Sequence, residues 1–448
     1  MSERAGIGAR VAAIAYRNVM RVAGGVAVAG ALLPGGGRRW PTLAGRLGAL
    51  PAADQATARG GPALWLHAAS VGELFAARGL LGRLRERFPG RVSVVSTLTA
   101  TGLARARELP EAHLAMLLPL DSPGIVRRRL EPFRLEAFLF TETEIWPTLL
   151  DALADRGVPA IMVSGRVSER TAARARWLRP LYAPALAGVT CCMQTDDDAR
   201  RIVALGADPR RVHVAGSLKF DAPAASPPAE VSRVAEALGA RRMLVAGSTH
   251  EGEDEALLAA YVQLVAEYPD LVLLLAPRHP ERRAAVAGAV DTAGLPLVRY
   301  TTLVAGAAPA LPAGPVVVLL DAIGPLAHLY GLGVLAFVGG SLVPAGGHNV
   351  LEPARAGRGV VVGPHTENAG AAVPRLVAGG GAVQVPSTQA LAPALARLLG
   401  DSERLTDMGR RARALVERGG GAVERHLKII ATRLSASRFA LPGESASA

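Results

Sequence analysis

Three carboxylates and a set of glycine-rich loops stand directly behind short apolar runs in this chain. Glu73 closes Ala69-Ser-Val-Gly-Glu73, after the run Ala63–His67, while Glu142 and Glu144 lie in Thr141-Glu-Thr-Glu-Ile-Trp-Pro147, after Ala137–Phe140. Carboxylates so placed can take a proton from a hydroxyl or order the group that does. Further along, Gly247-Ser-Thr-His-Glu251, Pro277-Arg-His-Pro280, Gly363-Pro-His365 and Phe337-Val-Gly-Gly-Ser-Leu-Val-Pro-Ala-Gly-Gly-His-Asn-Val-Leu-Glu-Pro353 supply glycines, histidines and Arg278. Glycines let the backbone approach a ligand closely, and a helix N-terminus, read here at His348, offers N–H groups and a positive dipole end to a phosphate. Asn349 and Glu352, one turn apart, are placed to hold a sugar hydroxyl or a base. Acids in one half and cationic, glycine-rich loops in the other suit an acceptor to be deprotonated and a phosphate-bearing donor. Singly, each motif has a plain explanation as a first-turn helix acid or a tight strand–helix turn. Their joint occurrence is what points to a site.

Such residues converge only if the apolar runs are parallel strands. Ala63–His67, Val92–Ser96, Leu114–Leu118, Ala137–Phe140, Pro159–Val163, Val189–Met193 and Val212–Ala215 alternate with segments of helical period. Asp221-Ala-Pro-Ala-Ala-Ser-Pro-Pro228 breaks the rhythm as an interdomain linker, and the rhythm resumes at Met243–Ala246, Leu271–Leu275, Val316–Leu320, Val334–Val338 and Val360–Val362. This alternation implies βαβ units and doubly wound sheets, which bind ligands beyond the carboxyl ends of their strands. The reading is an α/β protein with two Rossmann-like domains, 38–221 and 222–448, the second including the linker and the C-terminal helices, behind an N-terminal segment 1–37. Leu441–Ala448 reads as a frayed end.

Half of the 448 residues are hydrophobic and few are aromatic. The net charge of +12 calls for an anionic partner, whether nucleic acid, lipid or a phosphorylated substrate. Dispersed arginines and scarce aromatics argue against nucleic acid. Cys191 and Cys192, the only cysteines, are adjacent and allow neither a disulfide framework nor a zinc site. Asp196-Asp-Asp198 follows Thr195 and reads as a capped helix start. In the first segment Arg10, Arg17 and Arg21 recur at helical spacing, and the apolar Ala23–Leu33 ends at Pro34-Gly-Gly-Gly37. That apolar run is short of the ~20 residues that span a bilayer. It reads as an interfacial anchor on anionic lipid, with a signal peptide and an ordinary packed helix as alternatives.

Taken in order, Ala69-Ser-Val-Gly-Glu73, Glu142-Thr-Glu-Ile-Trp-Pro147, Gly216-Ser-Leu-Lys-Phe-Asp221, Ser248-Thr-His-Glu-Gly-Glu253, Pro277-Arg-His-Pro-Glu-Arg282, the Gly339–Glu352 block and Gly363-Pro-His-Thr366 resemble the 3-deoxy-D-manno-octulosonic acid (Kdo) transferases. The resemblance runs from Arg38-Arg-Trp40…Gly45-Arg-Leu-Gly48 to the C-terminal helices. It implies a GT-B fold and an inverting transfer of Kdo from CMP-Kdo to a lipid A precursor in lipopolysaccharide biosynthesis. The implied location is the cytoplasmic face of the inner membrane, with the anionic membrane surface as a partner and no role for nucleic acid. By position it implies Glu73 as general base, with Glu142 and Glu144 ordering the base or the acceptor. Ser248, Arg278, Gly346, Gly347, His348, Asn349, Glu352 and Lys219 fall on the CMP side, with no metal and no cofactor. The chain departs from the family pattern at Ser164, where many relatives carry Asn, at Pro325, where Glu is common, and at Val334. A second reading, another GT-B enzyme with a UDP-sugar donor such as a lipid-linked glycosyltransferase or a sugar-nucleotide epimerase, shares the fold and glycine loop but not the Ser-Val-Gly-Glu and Glu-Thr-Glu-Ile-Trp-Pro motifs.

Overall fold

A computed structural model describes residues 2–32, 41–47, 50–221, 229–305 and 311–439. Pro34–Gly37, Arg38–Trp40, Gly48, the proline linker after Asp221 and the tail from Leu441 lie outside the described residues. The chain forms two compact units, Met1–Pro223 with Gly419–Ala448, and Ala224–Arg418.

In the first unit the apolar runs become β1 (Pro62–His67), β2 (Val92–Thr97), β3 (Leu114–Leu117), β4 (Arg134–Thr141), β5 (Ala160–Gly165), β6 (Thr190–Met193) and β7 (Val212–Val214). They pair in parallel in the order β3-β2-β1-β4-β5-β6-β7. Helices cover both faces, so the central strands are apolar on both sides and read as continuous runs rather than alternations. Trp65 lies edge-on to Phe138 at 4.8 Å, and Phe138 stacks on Phe140 at 5.6 Å, on one side of the sheet. β1 and β4 pair with His67 opposite Phe140, which sets the segments Ala69–Glu73 and Thr141–Glu144 side by side.

The second unit repeats the plan with β8 (Met243–Thr249), β9 (Val272–Pro277), β10 (Leu297–Arg299), β11 (Val316–Leu319), β12 (Leu335–Val338), β13 (Gly359–Val362) and β14 (Ala382–Gln384), ordered β10-β11-β9-β8-β12-β13-β14 and parallel throughout. β10 and β14 have no counterpart in the sequence reading. Both are edge strands of three residues and carry too little apolar pattern to register.

Two terminal helices depart from expectation. The first, Ser2–Leu32, is continuous over 31 residues, and its stretch Val11–Ala29 is long and apolar enough to cross a membrane by length and composition. The apolar run that alone falls short of a span is extended by helix on its N-terminal side. The helix is also seated on the first unit. The Tyr16 hydroxyl donates to Asp121 Oδ2 at 2.9 Å, and a Cβ on Gly24 would come within 2.6 Å of Ser122 Oγ. Val11, Val19, Val22 and Val26 form one stripe that stays 60–68% exposed.

The last helix, Ala422–Phe439, belongs to the first unit rather than to the second domain with which 222–448 grouped it. Its Ala422, Val423, Leu427, Ile430 and Leu434 share a buried cluster with Leu74, Leu80 and Leu84 of the helix Val71–Arg87, apolar surface that would otherwise face water. Polar contacts fix the seating: Val423 N–H donates to Asp221 Oδ2 at 2.5 Å, Arg425 Nε to the Ala215 carbonyl at 2.8 Å, and Ser164 N–H to His426 Nε2 at 2.9 Å. Ser164 has φ 52°, a left-handed conformation that asparagine tolerates better than serine.

Candidate functional site

Within the first sheet, connections leave the β1–β4 pair in opposite directions, β1 toward β2 and β3, β4 toward β5 and beyond. This is the switch point at which doubly wound sheets hold ligands, and the acids sit at its carboxyl end. Ser70 caps the helix Val71–Arg87 by accepting the Glu73 N–H at 3.3 Å, and its hydroxyl donates to Glu73 Oε1 at 2.8 Å. Glu73 Oε2 accepts from the Ala69 N–H at 3.0 Å and from the Thr141 hydroxyl at 2.6 Å. A carboxylate offers about four acceptor positions. The fourth, on Oε1, meets no donor among the described residues.

Glu142 has φ 51°, a conformation a side-chain-bearing residue adopts only where its surroundings hold it. Its Oε1 accepts from Lys219 Nζ at 2.8 Å. Lys219, expected on the donor side, therefore stands with the acids of the first unit. Glu144 Oε2 accepts from the Trp146 indole N–H at 3.1 Å and lies 3.7 Å from Nε2 of the fully buried His67. The Arg46 guanidinium stands 5.9 Å above the Trp146 ring. Thr141 and His67 carry no assignment in the sequence reading, because nothing in a strand pattern tells which residues of an apolar run turn toward a site.

In the second unit the switch point lies between β8 and β12, which carry the Ser248 segment and the glycine loop. Ser248 is held at φ 58°, like Glu142 after β4. The glycine loop differs from its sequence reading in two ways. The helix expected to open at His348 begins only at Leu351 and runs five residues to Arg355, with Asn349 Oδ1 accepting the Leu351 N–H at 3.1 Å. Pro353 lies inside that stretch, and the residues before it are drawn into loop contacts instead of helix. In addition, the N–H groups of Gly340, Ser341 and Leu342 are already satisfied. They donate to the fully buried Glu253 carboxylate at 2.6, 2.9 and 2.8 Å, and His250 N–H joins them at 2.9 Å. Glu253, which has no role in the sequence reading, shapes this loop from inside by accepting all four N–H groups.

Gly346 and Gly347 have φ 87° and 75°, and a Cβ on Gly346 would collide with the Asn368 amide. Glycine is demanded there by packing as well as by any ligand. His348 and His250 meet Nε2 to Nε2 at 2.7 Å with rings stacked, and His279 stands edge-on to His250 at 5.4 Å. Burial, then the Arg278 charge, push the His348 pKa down to about 4, so its ring is neutral near pH 7. Arg278 is exposed, and its guanidinium has no carboxylate partner among the described residues. Glu352 accepts from Asn349 Nδ2 at 3.0 Å, and burial raises its pKa. Thus Ser248, Arg278, His348, Asn349 and Glu352 follow neighbouring strands at one end of the second sheet. Among the described residues no three His, Cys, Asp or Glu side chains gather as metal ligands would.

A family model described as 3-deoxy-D-manno-octulosonic-acid transferase (kdotransferase) matches residues 41–222. The 3-deoxy-D-manno-octulosonic acid transferase of Haemophilus influenzae is 32% identical over 376 residues, which is 82% of this chain and 86% of that protein. The Bordetella pertussis protein of the same description is 34% identical over 398 residues, 86% of this chain and 90% of its own length. In fold, the chain is similar to a UDP-GlcNAc 2-epimerase from Neisseria meningitidis solved with UDP-GlcNAc, with TM-score 0.53 and 14% identity over 83% of this chain and 100% of that one.

Proposed function

The chain belongs to the 3-deoxy-D-manno-octulosonic acid transferases, glycosyltransferases of lipopolysaccharide biosynthesis built on two parallel-sheet α/β units, and from that membership we propose a division of labour between its units. CMP-Kdo is the donor and is held by the second unit; a lipid A precursor is the acceptor and presents its hydroxyl to the acids of the first. Glu73 takes the proton of that hydroxyl as its oxygen bonds to the anomeric carbon. The bond from that carbon to the CMP phosphate oxygen breaks on the opposite face, the electron pair leaves with CMP, and the configuration inverts. The observation that supports this assignment is the Glu73 carboxylate itself: three donors fix its plane, and one position of Oε1 remains for a hydroxyl. Glu142, neutralised by Lys219, and Glu144 order the acceptor.

On the donor side, Arg278 meets the departing phosphate, while Ser248, Asn349 and Glu352 take the nucleotide's hydroxyls and base, and the loop at Gly346, Gly347 and His348 closes around it. Neutral His348 avoids adding a desolvated charge beside Arg278. The Ser2–Leu32 helix, with its exposed valine stripe, associates with the membrane that carries the acceptor, on the cytoplasmic face where a nucleotide-activated sugar is available. A UDP-sugar donor is the competing reading; the epimerase likeness at 14% identity concerns fold alone. The test is mass spectrometry of the product after purified protein is incubated with CMP-Kdo and tetraacylated lipid A precursor. A mass increase of one or more Kdo units is expected. No product from CMP-Kdo, with transfer from a UDP-sugar instead, overturns the reading.

A further inference from the structure

We infer that His67, a buried histidine in the last position of β1, is a positioning residue that orients the Glu144 carboxylate through a directed chain of hydrogen bonds starting at Trp65. The inference rests on the reading that the acids of the first unit handle the acceptor. His67 is fully buried, and its Nε2 has no hydrogen-bond partner among the described residues; the nearest carboxylate oxygen is Glu144 Oε2, 3.7 Å away. On the other side of the ring, Nδ1 lies 2.9 Å from Ser96 Oγ and 3.1 Å from the Ser96 carbonyl. The Nε2 side decides which nitrogen carries the proton, since Nδ1 is satisfied either way: the Ser96 hydroxyl can donate to it, and the Ser96 carbonyl can accept from it. The Trp65 indole N–H can only donate, and it donates to Ser96 Oγ at 2.7 Å. One lone pair of the Ser96 carbonyl accepts the Ala68 N–H at 2.9 Å, and the other remains. With the Ser96 hydroxyl proton turned to His67 Nδ1, the ring proton stands on Nε2, facing Glu144. The opposite tautomer would leave the fully buried Nε2 as a lone pair facing the partly exposed Glu144 carboxylate, an arrangement of repelling partners.

The chain Trp65 to Ser96 to His67 to Glu144 therefore points one way. Trp146 donates to the same Glu144 oxygen at 3.1 Å, so two ring N–H groups approach one side of the carboxylate and leave Oε1 for the acceptor. At 3.7 Å the His67 bond is not yet made. Acceptor binding is expected to draw Glu144 onto it, so the bond forms in the complex and lowers the barrier rather than the resting energy.

The test compares His67→Gln, whose amide nitrogen can stand near Nε2, with His67→Asn, which reaches only the Ser96 side. Wild-type Kdo transfer is measured first, since its absence would sink the functional reading and not this one. Loss of a hydrogen bond to a charged group predicts that His67→Asn lowers kcat about 10- to 100-fold. His67→Gln should restore most of that loss, with CMP affinity unchanged in both. Equal thermal melts and equal kcat for the two variants would mark His67 as packing only. In case neither variant folds, ¹⁵N-histidine NMR of the wild-type protein reads the tautomer directly: an unprotonated Nδ1 and protonated Nε2 at His67 are expected, and the reverse overturns the inference.

Discussion

At the level of single residues, the Glu73 contacts decide which substitution is informative. In Glu73→Gln the new amide can place its oxygen where Oε2 accepts from Ala69 and Thr141, and turn its NH₂ toward the Ser70 hydroxyl, which can accept. Glu73→Gln should therefore melt within about 1 kcal/mol of wild type while transfer falls ~10²-fold or more through loss of the base. Glu73→Ala strips the Ala69 N–H and the Thr141 hydroxyl of their acceptor, so it is expected to lose stability together with rate. Single-turnover rates and melting curves of the two variants separate these effects. A Glu73→Gln enzyme with more than about a tenth of wild-type turnover would move the base elsewhere.

Among the elements, the glycine loop after β12 is organised by Glu253 as much as by its glycines. Each buried donor left unpaired costs about 1–3 kcal/mol, and Glu253→Ala strips four N–H groups of their acceptor, those of Gly340 and Ser341 in buried places and those of His250 and Leu342 in partly buried ones. A fall in melting temperature of roughly 10 °C or more is expected, together with loss of CMP binding by calorimetry. Retention of both would mean the loop holds itself. The C-terminal helix carries a pH-dependent contact of another kind. His426 is fully buried, donates through Nδ1 to the Ala422 carbonyl at 2.7 Å and accepts from Ser164 through Nε2, and burial pushes its pKa down to about 4. Between the ordinary histidine pKa of about 6.5 and that value, the unfolded chain takes up a proton that the folded one refuses. Stability therefore rises with pH across this window, and His426 costs on the order of 3 kcal/mol as pH falls through it. Urea titrations at neutral pH and near pH 4.5 should show a smaller acid loss in His426→Gln than in wild type. The central strands and the acids behind them were legible because buried parallel strands announce themselves as unbroken apolar runs. Glu253, His67 and His426 were not, since a buried carboxylate or imidazole owes its role to partners that sequence separation hides: His426 and Ser164 are 262 positions apart. The start of the helix at Leu351 was misread because glycines and Asn349 favour a helix opening, while the loop uses the same residues for packing.

For the molecule as a whole, the N-terminal helix proposed to meet the membrane is also part of the fold. Asp121 accepts from Tyr16 and also from the N–H groups of Thr148 and Leu149 at 3.0 and 2.8 Å, at the start of the helix that follows Glu144 and Trp146. Removing residues up to about Gly37 is expected to release the protein from anionic liposomes in co-sedimentation. It should also lower the melting temperature, because Asp121 loses a donor and Ser122 its cover. An unchanged liposome partition would refute the anchoring role, and an unchanged melt would refute the seating.

The chain begins in the first unit, builds all of the second, and returns to finish the first. On a ribosome, the acid-bearing unit is thus the first to be started and the last to be completed. Until Ala422–Phe439 emerges, Leu74, Leu80 and Leu84 lack their cover, and Ser164 lacks the imidazole that holds it. The segment Ala215–Asp221, which carries Lys219 to Glu142, is likewise unpinned. A chain clipped before Gly419 keeps every residue of the second unit and still lacks part of the first, so under the proposed division of labour it should bind donor and fail to transfer.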